Sequence, residues 1–309
     1  MNDTTEPVRG KRIAVLMGGP GSERLVSMAS GRGVLDALNS LGADAYAVDV
    51  HDDGFELKLG TDFAFNVIHG TYGEDGGVQA ELERRGVRYS GEGVEESRTA
   101  IDKIRSKECF VRHGVPTPGF EVIAAGERPA IGIPLVLKAP REGSSVGVYI
   151  VREECELQAA LVEVARYSQT VLVEEFVEGR ELTVGILGDD ALPVIEIRAR
   201  KDFYNFENKY PFLNPKAAGA DHLCPAPLSV ECERLVKETA LKAHRALGLR
   251  VYSRVDLLLR DDGSVYVLEI NTIPGMTPSS LLPEAAGEVG ISYAQLCRTV
   301  IELSLSRKP

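Results

Sequence analysis

The residues best suited to chemistry lie in two short runs toward the C-terminal end. Glu269 and Asn271 stand two apart, directly ahead of Thr272-Ile273-Pro274-Gly275-Met276, and Arg254 and Asp256 stand two apart in 253–259. Between the runs, Arg260-Asp261-Asp262-Gly263 predicts a β-hairpin turn. With Leu259 opposite Ser264, Asp256 faces Val267 and Arg254 faces Glu269. Alternation then projects Arg254, Asp256, Glu269 and Asn271 from one side and turns Val255, Leu257, Leu268 and Ile270 toward a core. Two carboxylates and an amide oxygen suit a hard divalent cation such as Mg²⁺, which takes few protein oxygens and shares its other positions with phosphate. A charged hairpin is more often a solvated surface, but the Asn-Thr-Ile-Pro-Gly turn directly after the ligands favours the metal.

Other stretches supply what a phosphate-handling site needs. The apolar run 133–138 ends in Lys138 and is followed by Ala139-Pro140-Arg141-Glu142-Gly143-Ser144-Ser145-Val146-Gly147. Backbone N–H groups of such a loop can cradle phosphate, although a Gly-Ser loop alone is more often a plain hairpin turn. It is not a Walker A loop, because G-x-x-x-x-G-K-[ST] occurs nowhere. A helix over 101–113 carries Lys103, Arg105 and Lys107. The stretch 203–223, with Tyr204, Phe206, Lys209, Tyr210, Phe212 and His222, predicts a long loop that packs down as a lid.

The elements that must position these groups fall into two kinds of layer. Residues 12–17 are a buried strand opening into Gly18-Gly19, followed by Glu23 and a helix with Val26, Val34, Ala37, Leu38 and Leu41 on one stripe. Strands at 45–48 and 62–68 continue the alternation, and the second ends in His69-Gly70-Thr71-Tyr72-Gly73-Glu74-Asp75-Gly76. This predicts a parallel α/β layer with ligands at the carboxyl ends of its strands. Glu23 sits at such an end; first-turn helix capping is the other role open to it. The G-x-G-x-x-G spacing of a dinucleotide site is absent. Beyond the break at Gly114-Val115-Pro116-Thr117-Pro118, a helix over 153–165 precedes a strand at 170–177. The runs 181–187 and 192–197 then pair around Gly188-Asp189-Asp190 as an antiparallel hairpin. The second half is therefore α+β, closed by helices over 229–247, 278–287 and 292–304.

The chain has 309 residues, 44% apolar and 26% charged, enough for two or three soluble globular units. A net charge of −11 with no basic run argues against a nucleic-acid partner, so any phosphate must be met by local Lys, Arg and metal. Five scattered cysteines with no C-x-x-C pair point to a reducing compartment. With no signal-like N-terminus and no apolar run of spanning length, the expected location is the cytoplasm, away from membrane.

Taken together, the stretches GGPGSERLVSMASG (18–31), HGTYGEDG (69–76), DKIRSK (102–107), LKAPREGSSVG (137–147), FYNFENKY (203–210), SRVDLLL (253–259) and LEINTIPGMTPSSL (268–281) resemble the D-alanine–D-alanine ligases of the ATP-grasp superfamily. They run in family order from residue 12 to about 304. The resemblance implies a Rossmann-like parallel α/β domain at 1–97, then an ATP-grasp fold of two α+β subdomains at 98–183 and 184–309, the latter with the lid loop 203–223 and the metal site. It implies ATP, Mg²⁺ as two ions with Mn²⁺ able to replace it, two molecules of D-alanine, and a homodimer. By the same resemblance, Glu23 binds the first substrate's ammonium, supported by Ser144 and Tyr210. Arg254 and the Gly275 N–H serve the oxyanion, and Ser280 the second carboxylate. Asp256, Glu269 and Asn271 hold the metal. Lys103, Lys138, Lys209 and the Ser145 loop meet phosphate, Glu174, Glu175 and Val177 form the adenine hinge, and Glu181 accepts the ribose. Two departures stand out: Glu175 occupies a position that is commonly lysine, and the stretch between Tyr210 and Pro225 is long and lacks the usual tyrosine. A D-alanine–D-lactate ligase is the alternative within the same chemistry, which Lys209-Tyr210 argues against. A nucleotide-binding sensor without catalysis is the non-enzymatic alternative, disfavoured by the completeness of the site.

Overall fold

The computed structural model describes residues 8–52, 54–199 and 220–307. Its first layer is a parallel sheet of order β2-β1-β3-β4, built from β1 (Arg12–Gly18), β2 (Asp44–Val50), β3 (Phe63–Asn66) and β4 (Arg88–Tyr89). Both faces of β1 are covered, as its unbroken apolar run requires. Ile13, Val15 and Met17 join one core with helix α1 (Arg24–Ser40), while Ala14 and Leu16 join another with helix α2 (Gly77–Arg84). The stripe on α1 packs as its spacing predicts, with Val26, Val34, Ala37 and Leu38 buried. Gly18 needs its glycine: φ is +93°, and a Cβ would stand 2.7 Å or less from Arg24, Asp49 and the Val50 carbonyl.

Two antiparallel sheets follow. One has order β5-β8-β6-β7, from β5 (Phe120–Ala124), β6 (Leu135–Lys138), β7 (Val148–Val151) and β8 (Thr170–Glu175), and packs one face on helix α5 (Glu154–Val164). The other has order β11-β10-β9-β12-β13, from β9 (Arg180–Leu187), β10 (Asp190–Ala199), β11 (Ala220–Leu223), β12 (Tyr252–Leu259) and β13 (Val265–Asn271). Helix α6 (Val230–Ala246) covers one face of this sheet through Val236, Ala240 and Ala243. Toward the first layer, Leu187, Leu192 and Ile195 share a core with α1 and with helices α7 (Leu281–Glu288) and α8 (Tyr293–Ser306).

The predicted helix over 101–113 forms as α4 (Lys103–Arg112), and a separate helix, α3 (Val94–Ile101), precedes it. Asp102 between them is extended and caps α4 by accepting from the Ile104 and Arg105 N–H groups. The expected boundaries at 97/98 and 183/184 fall inside α3 and β9. Of the predicted lid, residues 220–223 form β11 paired to β10, and His222 meets Glu284 at 3.1 Å. The rest of it, including Tyr204, Phe206, Lys209, Tyr210 and Phe212, lies outside the described residues.

The hairpin forms around Gly263, at φ +84°, but its register differs from the expected one. Leu259 faces Val265, and Leu257 faces Val267. The register then shifts, so that Asp256 faces Glu269 and Arg254 faces Asn271. Leu268 is the extra residue of a β-bulge. The cause lies in the side-chain pattern. Val265 and Val267 are buried with Leu257 and Leu259, whereas Glu269 and Asn271 stand on the opposite face. Strict alternation would put all four on one side, so one extra residue is needed between Val267 and Glu269. Leu268 consequently leaves the core face and lines the cleft beside Glu269.

Candidate active site

A cleft of about 660 Å³ lies between the two antiparallel sheets. It is lined from one side by Val136, Lys138, Ser145, Ile150 and residues 174–177, and from the other by Glu181, Asp256, Leu258, Leu268 and Glu269. Lys103 lies at its end. Apolar walls interspersed with lysines and carboxylates suit a ligand with a flat base and a phosphate tail. Glu174 points inward: it is 2% exposed and flanked by Lys107 at 3.1 Å and Lys138 at 2.8 Å. Burial alone would raise its pKa, and the two lysines outweigh burial and lower it. Its side chain is thus engaged by two lysines, and the residue borders the cleft. Glu175 is exposed at the rim, close against Gly119.

The cleft runs into a small polar recess of about 50 Å³, bordered by Glu23, Glu74, Ser144, Arg254, Glu269 and Asn271. Parts of the chain 246 residues apart or more thus meet at one point. Ser144 donates to Glu23 at 2.5 Å. Both Ser144 and Ser145 sit in left-handed backbone, at φ 51° and 62°, a conformation disfavoured for a residue with a Cβ and often kept at functional loops. The loop is also tied at its base. Lys103 donates its backbone N–H to Pro140 and its Nζ to Glu142, and Arg141 donates to Asp102. Glu23 makes no capping bond, so its carboxylate serves the recess and not α1.

The three proposed metal oxygens are each held by a neighbour. Asp256 accepts from Arg254 at 2.9 and 3.0 Å and from Thr183 at 2.7 Å. Glu269 lies 3.1 Å from Lys103, and the Asn271 side-chain oxygen accepts the Ile273 N–H at 2.9 Å. Among the described residues no three His, Cys, Asp or Glu cluster as a metal site, because the third oxygen here is an amide. Two carboxylates and an amide oxygen on one face of a hairpin fit a hard divalent cation. Arg254 is a two-pronged partner of Asp256 in this structure.

The turn after β13 is held from the first layer. His69 bonds to the Ile273 carbonyl through Nδ1 at 2.9 Å, and Ser30 accepts the Met276 N–H at 3.2 Å. Gly275 lies close to Ser280, where a Cβ would come within 2.8 Å of the hydroxyl. Ser280 accepts the Thr277 N–H and shares a hydrogen bond with its hydroxyl; neither Gly275 nor Ser280 borders the recess or the cleft. The sequence placed the loop 69–76 at a ligand-bearing strand end without singling out His69 or Glu74. They are buried side by side at 3.7 Å next to Glu23. Burial would depress the His69 pKa, but Glu74 and Glu23 outweigh it and raise it; burial likewise raises Glu74. Their signal was available: both belong to a polar loop directly after a buried parallel strand, where ligands gather. Lys209 and Tyr210 lie outside the described residues.

With this geometry in hand, comparison with known proteins is informative. Residues 111–302 match the family described as D-ala D-ala ligase C-terminus. A D-alanine–D-alanine ligase of Methylacidiphilum infernorum (isolate V4) is 43% identical over 301 residues, covering 97% of this chain and 98% of that protein. One from Geobacter sulfurreducens is 44% identical over 306 residues, covering 96% and 95%. The crystal structure of the Bacillus anthracis D-alanine–D-alanine ligase superposes with a TM-score of 0.83 at 34% identity, covering 96% of this chain and 98% of that one. Its complex with ATP gives 0.82 at 32%, with the same coverage. The match spans the parallel layer, both antiparallel sheets and the cleft between them: the chain belongs to the D-alanine–D-alanine ligase family.

Proposed function

We propose that the protein joins two molecules of D-alanine with ATP, giving D-alanyl-D-alanine, ADP and phosphate, for peptidoglycan precursor synthesis. The observation that carries this reading is the junction itself: an ATP-sized cleft shares Lys103 and Glu269 with a recess that holds a fixed acid, Glu23. The first D-alanine sits with its ammonium on Glu23, and Ser144 fixes that carboxylate in turn. Its own carboxylate attacks the γ-phosphorus of ATP; the bond to the bridging oxygen breaks and ADP leaves with an acyl phosphate formed. The amine of the second D-alanine then adds to the acyl carbon. Arg254 and the Gly275 N–H steady the oxyanion, phosphate departs, and the amine proton is released. Ser280 orients the second carboxylate.

Asp256, Glu269 and Asn271 are the residues that would hold Mg²⁺, two ions in the full complex, with Mn²⁺ an acceptable substitute. A metal held there would supply positive charge to the transferring phosphoryl group. Lys103, Lys138, Lys209 and the Ser145 loop add positive charge and N–H donors along the phosphates. The backbone of Glu174 and Glu175, with Val177, frames the base, and Glu181 accepts the ribose hydroxyls. The protein works as a cytoplasmic homodimer. Three units divide the labour: the parallel layer, the sheet of β5–β8 and the sheet of β9–β13. A coupled assay of ADP release with single D-amino acids tests the reading. ADP release requiring D-alanine, with the dipeptide formed in equal amount, is the expected result. Release of ADP without any amino acid, or a preference for D-lactate over D-alanine at neutral pH, would overturn it.

A further inference from the structure

Lys107 is an unusual lysine. It is 0% exposed, borders neither the cleft nor the recess, and has its ammonium wholly enclosed by protein. Its Nζ donates to the Thr117 hydroxyl at 2.6 Å and the Pro118 carbonyl at 3.1 Å, and lies 3.1 Å from Glu174 Oε1. The Phe120 ring closes the remaining side, 5.1 Å from the charge. The approach to Glu174 is an ion pair without hydrogen-bond alignment, so its effect there is one of charge. The other oxygen of Glu174 holds Lys138 at 2.8 Å, and Lys138 does border the cleft. The buried trio Lys107–Glu174–Lys138 therefore carries one net positive charge, and its outlet is Lys138.

We infer that Lys107 is a positioning residue for the triphosphate: it offsets the charge of Glu174 so that Lys138 faces the cleft as an effective cation. The inference rests on the reading of Lys138 as a phosphate contact. Without Lys107, Glu174 and Lys138 form a neutral pair, and the attraction for a polyanion drops while the walls around the base stay as they are. In a buried setting such a change of one charge is felt strongly. Burial already lowers the Lys107 pKa to about 8, so the protein holds this charge against a desolvation cost.

The test compares calorimetric affinities for MgATP and adenosine in the full-length protein, because the inference concerns only the phosphate-dependent part of binding. Lys107→Met is expected to lower the ATP-to-adenosine affinity ratio about tenfold. Adding Glu174→Gln to it removes the uncompensated carboxylate and is expected to restore the ratio to within about threefold of wild type, a non-additivity that simple packing damage does not give. Lys107→Gln, which keeps a donor for Pro118, gives the same reading if the Met variant does not fold. Lys138→Met serves as the reference. If Lys138→Met lowers the ratio and the neutral Lys107 variants leave it unchanged, Lys107 only packs and the inference is overturned. If Lys138→Met itself leaves the ratio unchanged, the phosphate reading of Lys138 is what fails.

Discussion

Asp256 and Glu269 stand directly opposite each other on neighbouring strands, each steadied by a cation, Arg254 for the first and Lys103 for the second. Two carboxylates facing each other across a ladder repel. The partnered cations offset that repulsion, and a divalent ion between the two would offset it further. Glu269→Gln is therefore expected to lower kcat/KM by roughly 100-fold or more and to raise the Mg²⁺ concentration needed for half-maximal rate. Rate measured against Mg²⁺ checks this; an unaltered metal dependence would count against Glu269 as a ligand.

The bond from Ser144 to Glu23 joins the phosphate loop to the parallel layer. A hydrogen bond to a charged group is worth roughly 1.5–3 kcal/mol. Ser144→Ala and Glu23→Gln are each expected to raise the KM for the first D-alanine by about tenfold or more, with the KM for ATP changed far less. Initial rates over a grid of both substrates separate the two constants. An unchanged first-site KM in Glu23→Gln would refute the assignment.

Gly275 has no room for a side chain on the side of Ser280. A methyl group there would push Ser280 off Thr277 and rotate the peptide whose N–H is proposed to meet the oxyanion. For Gly275→Ala the expectation is a fall in kcat of roughly tenfold or more, the cost typical of misplacing a positioned group, with ATP affinity retained. Single-turnover rates beside nucleotide titration check it; loss of both in parallel would indicate a folding defect instead.

His244 gives a pH prediction about stability. Buried on α6 and bonded to Ser253 at 2.8 Å, it has its pKa lowered to about 4 by burial, with Arg245 adding to the effect. Its ordinary value is about 6.5. As pH falls below that, the unfolded chain takes up a proton that the folded chain refuses. The stability present above pH 6.5 is thus lost progressively toward pH 4, on the order of 2–3 kcal/mol. Thermal melts at pH 7 and pH 5 should show His244→Gln losing less than wild type. Equal losses would place the acid sensitivity elsewhere.

Much of this was legible in the sequence, and the misses have a common physical origin. Local rules were enough for the parallel layer, the α1 stripe, the hairpin at Gly263 and the helix α6, because each is set by near neighbours. The face shared by Arg254, Asp256, Glu269 and Asn271 was also legible, though the expected pairing was off by two residues. What periodicity hid was the change of phase at Leu268. A strict period of two cannot satisfy both Val265 with Val267 and Glu269 with Asn271, and that conflict was the available clue. The burial and pairing of Lys107 and Glu74 were hidden for another reason. A lysine on a helix and an acid in a loop read as surface, and only tertiary contacts across tens of residues show them buried and paired.

The bulge makes β13 one strand that speaks two dialects, one addressed to the hydrophobic interior and one to the reactants, with Leu268 as the syllable between them. Removing that residue would restore plain alternation and still leave Glu269 opposite Asp256. The proposed metal oxygens and the apolar lining of the cleft are therefore separately editable: a one-residue deletion reaches the lining without changing which residues face each other.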